Sequence, residues 1–366
     1  MAARRIVIKV GSSLLADKVR GTVRRRWLTG LVHDLAACRA RGQQVIVVSS
    51  GAIAIGRRHL GFADGDIRLE EKQAAAATGM VRLAHAYQEA LAKVGMTVAQ
   101  VLLTLDDSEN RRRYLNARNT LSTLLDLGAV PLINENDTVA TDEIRFGDND
   151  RLAARVAAMV SADTLILLSD VGGFHTADPR RDPEARLIPE VTEVTADIEA
   201  MAGGVGSNVG SGGMVTKLAA ARICLGAGCR MVLTDGTGNR PLSRIERGDP
   251  CTWFLPQANP MAARKRWIAG TLKPAGSVVI DDGALRALRA GKSLLPVGIV
   301  AVSGGFERGD AVTVRDGAGN LVARGISAYS AGDAERIKGH KSADIEALLG
   351  YRGREEMIHR DDLAMD

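Results

Sequence analysis

The chain reads as an α/β protein, a mostly parallel sheet sandwiched between helices, with a small β-rich domain behind it. Three observations predict this. Up to about residue 255, short apolar runs alternate with longer segments of helical period, the signature of a sheet covered on both faces. Several of those runs are unbroken Val, Ile and Leu, as expected of strands buried on both sides. From Gly276 onward the pattern changes to short strands separated by glycine turns. A length of 366 residues makes two domains the natural expectation.

Taken in order, strands are expected at Ile6–Val10, Val45–Ser49, Thr97–Leu103, Val130–Ile133, Thr164–Leu168 and Met231–Leu233. Helical periodicity falls over Trp27–Arg41, Glu70–Val94, Arg111–Asp126, Asp150–Val160 and Met214–Gly226, and crossovers of that length favour parallel neighbours. A proline-bounded stretch from Pro256 to Pro274 breaks the rhythm, and its run Arg264-Lys265-Arg266-Trp267-Ile268 predicts packing over part of it. Short strands then follow at Ser277–Ile280, Gly298–Val302, Ala311–Arg315 and Leu321–Ile326. The expected organisation is a first domain over 1–257, a linker over 258–275, a β-rich domain over 276–354 and a charged tail over 355–366.

Composition removes several function classes. Hydrophobic residues make up 46% and aromatics only 3%, so the core is aliphatic. No apolar run approaches the ~20 residues of a membrane span, and the start of the chain shows no secretory h-region. Four cysteines (Cys38, Cys224, Cys229, Cys251) lack CxxC pairing and fit reduced thiols of the cytoplasm. The net charge of +5 is unevenly placed: from residue 276 it is −2, leaving +7 for the rest. The first domain is therefore where an anionic ligand is expected, and the second lacks the footprint of a strong RNA binder. Gly291-Lys292-Ser293 imitates the end of a Walker A motif, but Arg286 stands where its first glycine belongs. The six histidines are scattered, and none makes a metal pair or a triad.

Two lysines stand where a solvated charge is least expected. Lys9 lies inside the apolar strand Ile6–Val10, where an ammonium is costly unless it meets an anion, and Gly11-Ser12-Ser13 offers backbone N–H groups to the same anion. Lys217 closes the run Gly210-Ser211-Gly212-Gly213-Met214-Val215-Thr216-Lys217, which leads into a helix whose N-terminus favours phosphate. Ser49-Ser50-Gly51-Ala52 passes from a buried strand into a helix, an anion site at the carboxyl end of the sheet. An ordinary turn with a serine cap would look the same locally. Asn134-Glu135-Asn136-Asp137 and Gly147-Asp148-Asn149-Asp150 bracket a long polar stretch suited to the ammonium and carboxylate of an amino acid. Ser169-Asp170, ahead of Gly172-Gly173, puts a carboxylate at a strand tip beside a nucleotide or its magnesium.

This constellation has cations and anion cradles but no activated Ser, Cys or His. A carboxylate acceptor needs no general base, because with a pKa of ~4 it is already ionised. Phosphoryl transfer to a carboxylate needs only alignment and charge neutralisation, and the product is an acyl phosphate.

The motifs Lys9-Val10-Gly11-Ser12-Ser13, Ser50-Gly51-Ala52, Asn134-Glu135-Asn136-Asp137, Gly147-Asp148-Asn149-Asp150 and Gly212-Gly213-Met214-Val215-Thr216-Lys217 resemble, in order, those of the amino acid kinase superfamily. The resemblance runs nearly end to end and includes a C-terminal portion similar to a PUA domain. It is strongest to the branch that phosphorylates the γ-carboxylate of free L-glutamate with ATP and Mg²⁺, the first step of proline synthesis, under inhibition by proline. Aspartate, acetylglutamate or uridylate kinases of the superfamily, and an RNA-binding PUA protein, are the rival readings. Carried over, the resemblance makes Lys9 and Lys217 the pair that stabilises the transferring phosphoryl group, with Asp150 orienting them. Ser50, Gly51, Asp137, Asp148 and Asn149 bind glutamate. Lys9, Gly11, Ser169, Asp170 and the segment Ser211, Gly212, Gly213, Met214, Val215, Thr216 and Lys217 bind ATP, with Mg²⁺ carried on the nucleotide and no dedicated protein site for it. A homo-oligomer, dimer or tetramer, is implied, and no membrane. Two departures stand out: Ser169 where threonine is common, and Gly173-Phe174-His175 where Gly-Leu-Tyr is usual.

Overall fold

The computed structural model describes residues 3–17, 19–63, 65, 67–139, 149–203, 213–270 and 274–366, and divides them between two compact units. The first holds the residues up to Asn110 and Asn116–Pro260; the second holds Arg111–Leu115 and Met261–Asp366.

The first unit is built on an eight-stranded sheet in the order Glu190–Val191, Cys251–Phe254, Arg230–Asp235, Thr164–Ser169, Arg5–Val10, Gln44–Ser49, Val130–Glu135, Val98–Leu103. The last six of these are parallel, matching the six runs expected from sequence. Cys251–Phe254 instead pairs antiparallel with Arg230–Asp235. Strand Arg5–Val10 lies at the centre of the parallel block, so its carboxyl end is flanked by the tips of Gln44–Ser49 and Thr164–Ser169. That is where ligands bind in open parallel sheets, because the loops there face outward with free backbone groups.

Strand alternation sorts the first strand. Ile6, Ile8 and Val10 join a core with helices Arg25–Ala40 and Leu69–Ala92. Lys9 therefore turns to the opposite face, which helices Asn149–Met159 and Met214–Gly226 cover. Among the described residues no helix is long and apolar enough to cross a membrane.

The second unit carries a five-stranded sheet in the order Ile299–Gly304, Gly276–Ile280, Ala311–Arg315, Leu321–Ile326, Leu363–Met365. Its core is formed by Val278, Ile280, Val312, Val314, Ile337 and their neighbours. Two expectations change here. The residues read as a tail are part of the fold: Met357 and Ile358 are buried, and Leu363–Met365 pairs with Leu321–Ile326. Two-residue apolar islands between charges carry too little periodicity to be read as structure. Much of the stretch read as a linker is the helix Pro260–Gly270, fixed by Arg264, whose guanidinium pairs with Asp362 at 2.5 Å in a buried ion pair.

Candidate active site

Lys9 and Lys217 are 208 positions apart in sequence, yet both reach one carboxylate. Lys9 Nζ lies 2.7 Å from Asp150 Oδ1, and Lys217 Nζ lies 3.2 Å from Asp150 Oδ2. The Thr216 hydroxyl lies 3.0 Å from that second oxygen and 2.8 Å from the Gly213 carbonyl. Asp150 is 1% exposed, Lys9 8% and Lys217 6%. Burial pushes the Asp150 carboxyl upward, but Lys9 and then Lys217 outweigh it and hold the group below the ordinary carboxylate range. The arrangement follows from local structure. Asp150 is the second residue of its helix and Lys217 the fourth of its own, so both project from first turns toward the carboxyl end of the Lys9 strand. An ammonium carries three N–H donors, so Lys9 has capacity beyond Asp150 for the oxygens of a phosphoryl group.

Beside this cationic pair, Asn149 ties two strand ends together. Its amide nitrogen donates toward the Ser49 carbonyl at 3.2 Å, Ser50 Oγ at 2.8 Å and Asn134 Oδ1 at 3.1 Å. Its own Oδ1 is buried and has no partner among the described residues, an acceptor facing the site. Asn134 in turn approaches Asp137 Oδ2 at 3.4 Å. Burial raises the Asp137 carboxyl to about 6. Ser50 is anchored by its own amide, which donates to the Val10 carbonyl at 3.1 Å. Gly51 follows at φ +107°, a left-handed conformation that turns the chain into helix Ala52–His59.

The third strand tip carries Ser169 and Asp170. Ser169 is nearly buried and Asp170 is exposed, with Arg180 Nη2 3.4 Å from its carboxylate. The Gly11 amide, expected from sequence to meet the anion, is instead spent within the sheet: it donates to the Leu168 carbonyl at 3.2 Å. Only Ser12 and Ser13 of that trio open a helical turn with unspent N–H groups. Gly213 caps the Lys217 helix, and Met214 and Val215 form its half-buried start. Asp148, Ser211 and Gly212 lie outside the described residues.

The structure thus gathers Lys9, Asp150, Thr216 and Lys217 into one cluster and Ser50, Asn149, Asn134 and Asp137 into an adjoining one. Two features escaped the sequence reading. The motif Asn134–Asp137 is expected to face an amino acid as a whole, and no individual part falls to Asn134, which bridges Asn149 and Asp137. Asp235 ends the strand next to Ser169, in register with it, held by the Thr237 amide at 2.8 Å and Arg244 at 3.3 Å. The signal for it was available: Thr234-Asp235-Gly236 repeats the strand-tip pattern of an Asp followed closely by glycine.

A model of the amino acid kinase family matches residues 4–235, and a model of the PUA domain matches residues 276–349. The chain is 67% identical to the glutamate 5-kinase of Paramagnetospirillum magneticum, covering 100% of this chain and 98% of the relative. It is 59% identical to that of Rhodospirillum rubrum, covering 98% and 96%, and 56% identical to that of Dinoroseobacter shibae, covering 100% and 99%. Among solved structures, a carbamate kinase of Giardia lamblia bound to AMP-PNP aligns with a TM-score of 0.50 at 16% identity, over 70% of this chain and 99% of that one.

Proposed function

The chain belongs to the amino acid kinase family, and we propose on that premise that it transfers the γ-phosphoryl group of ATP to the γ-carboxylate of L-glutamate, as its glutamate 5-kinase relatives are named for doing. The observation that carries the reading is the single carboxylate of Asp150 holding two buried lysines beside the Asn149–Ser50 cluster. Glutamate needs no base, since its side-chain carboxylate is ionised at neutral pH with a pKa of ~4.3. One carboxylate oxygen attacks the γ-phosphorus, the bond to the bridging oxygen breaks, and ADP and γ-glutamyl phosphate leave.

The chain's own groups act on alignment and charge. Lys9 and Lys217 meet the migrating phosphoryl oxygens, and Asp150 keeps both ammonium groups aimed at one point through the reaction. Held in place, they need no reorganisation as charge moves, which is where fixed donors gain over water. Asp137 and the unpartnered Asn149 Oδ1 accept from the glutamate ammonium, and the Ser50 hydroxyl, which accepts from Asn149, donates to a carboxylate. Ser169, Asp170 and the start of the Lys217 helix face the nucleotide. Mg²⁺ arrives with ATP and neutralises polyphosphate charge. The buried lysines and the helix N-termini suit such a polyanion, whereas Asp150 is already engaged by two cations and is unsuited to a metal. Proline is the proposed feedback inhibitor, the cytoplasm the proposed compartment and a homo-oligomer the proposed assembly.

The test incubates the protein with ATP, Mg²⁺ and hydroxylamine in the presence of glutamate, aspartate or acetylglutamate, and follows ADP release with uridylate as acceptor. Hydroxamate formation with glutamate, against background with the others, is the expected result. Product with another acceptor and none with glutamate refutes the assignment.

A further inference from the structure

Helix Ala52–His59 starts one residue after Gly51, and it meets the long helix Leu69–Ala92 backbone to backbone. A Cβ added to Gly56 would lie 1.8 Å from the Ala75 carbonyl oxygen and 2.7 Å from the Gly79 nitrogen. A Cβ added to Gly79 would lie 1.8 Å from the Ala52 carbonyl oxygen and 2.8 Å from the Gly56 nitrogen. Glycine inside a helix costs about 1 kcal/mol relative to alanine, so two facing glycines need a reason, and the close approach of the two backbones supplies it. Such a contact has no flexible side chain to absorb displacement. Any shift of the long helix passes directly to Ala52 and so to the neighbouring Gly51 and Ser50. The same helix reaches the site at a second point, because the fully buried Tyr87 hydroxyl lies 3.4 Å from Ser49 Oγ, at the tip of the strand that Ser50 leaves.

We infer that helix Leu69–Ala92 sets the position of the acceptor side of the active site, with Gly79 and Gly56 as positioning residues for Ser50 and Gly51. The inference rests on the proposed reading of that cradle as the glutamate subsite. Its size follows from geometry. Real Cβ contacts essentially never come under 3.0 Å, so alanine at 79, starting from 1.8 Å, must push Ala52 away by at least about 1.2 Å. Misplacement of about 1 Å is enough to cost on the order of 100-fold in a reaction that depends on alignment. The Lys217 side of the site belongs to a different helix on the opposite face of the sheet. Its geometry is left alone.

The experiment measures kcat and both KM values for Gly79→Ala and Gly56→Ala by the hydroxamate assay. Leu242→Ala, a cavity in the same core but on helix Pro241–Glu246 and outside the Gly56–Gly79 contact, serves as the control for general destabilisation. The expected result is a kcat/KM for glutamate lowered roughly 10- to 100-fold, including a raised glutamate KM, with the ATP KM within about 2-fold, while Leu242→Ala lowers the melting temperature and moves neither KM selectively. Equal rises in both KM values, or none, overturn the inference. Should both glycine variants fail to fold, hydrogen exchange of the wild-type chain decides. Saturating L-glutamate is expected to slow exchange in residues 52–59 and 69–92, and a non-hydrolysable ATP analogue is not. Unchanged exchange in 69–92 with glutamate sinks the idea. A wild-type chain inactive toward glutamate sinks the functional reading instead, which keeps the two failures apart.

Discussion

Replacing Asp150 by asparagine removes one charge and almost no volume, and it isolates what holds the two lysines together. At 2.7 and 3.2 Å from Lys9 and Lys217, the carboxylate attracts each ammonium by roughly 5–6 kcal/mol before desolvation, taking an effective dielectric constant of about 20. Most of that offsets the cost of burying three charges, so the net loss on breaking the set is closer to 3–5 kcal/mol. In a domain of this size that lowers the melting temperature by roughly 10 °C. Turnover is expected to fall by at least about 10³, since two aligned donors are misdirected at once. A non-hydrolysable ATP analogue with Mg²⁺ is then expected to stabilise Asp150→Asn more than the wild type, because the polyanion replaces the missing carboxylate. The sign of the pH dependence follows. Asp150 is depressed in the fold, so its stabilisation is present above the ordinary carboxylate range and is lost as pH falls through its folded value. The variant should lack that acid-side loss. Differential scanning fluorimetry across pH, with and without analogue, together with the hydroxamate assay, checks all of this. Wild-type turnover in Asp150→Asn, or an analogue shift no larger than in the wild type, would refute the reasoning.

Four further outcomes are expected. Lys217→Ala should lower turnover by at least about 10² while calorimetry shows glutamate still binding, because the lysine acts on the phosphoryl group; unchanged turnover removes its assignment. Asp137, raised to about 6, must be ionised to accept an ammonium, so the glutamate KM should climb as pH drops below about 6 and the ATP KM should not. The same burial makes the ionised form costly at neutral pH. Asp137→Asn should therefore raise stability at pH 7 by at most about 3 kcal/mol while glutamate affinity collapses, and a stability loss would contradict the burial reasoning. In the second unit, Asp362→Asn leaves the buried Arg264 guanidinium without its 2.5 Å carboxylate and should cost about 3 kcal/mol in thermal unfolding, with glutamate KM unchanged.

The sequence by itself determined the parallel block and its chemistry. Short, β-branched, unbroken runs such as Val45-Ile46-Val47-Val48 read as strands hidden on both faces, and Lys9 inside such a run announces an anion, because a buried ammonium is costly alone. What it did not contain was distance. That Asp150 engages both lysines, and that Asn149 reaches a strand end 100 residues before it in the chain, are contacts through space that no local pattern encodes. The antiparallel strand Cys251–Phe254 and the pairing of Leu363–Met365 were hidden for a related reason: runs of three or four residues carry too little periodicity, and neighbouring strands decide them. Gly56 and Gly79 show the limit most plainly. Read along the chain, a glycine in a helix is a weakness; only when the two helices are seen to touch does the missing Cβ become the condition for their contact.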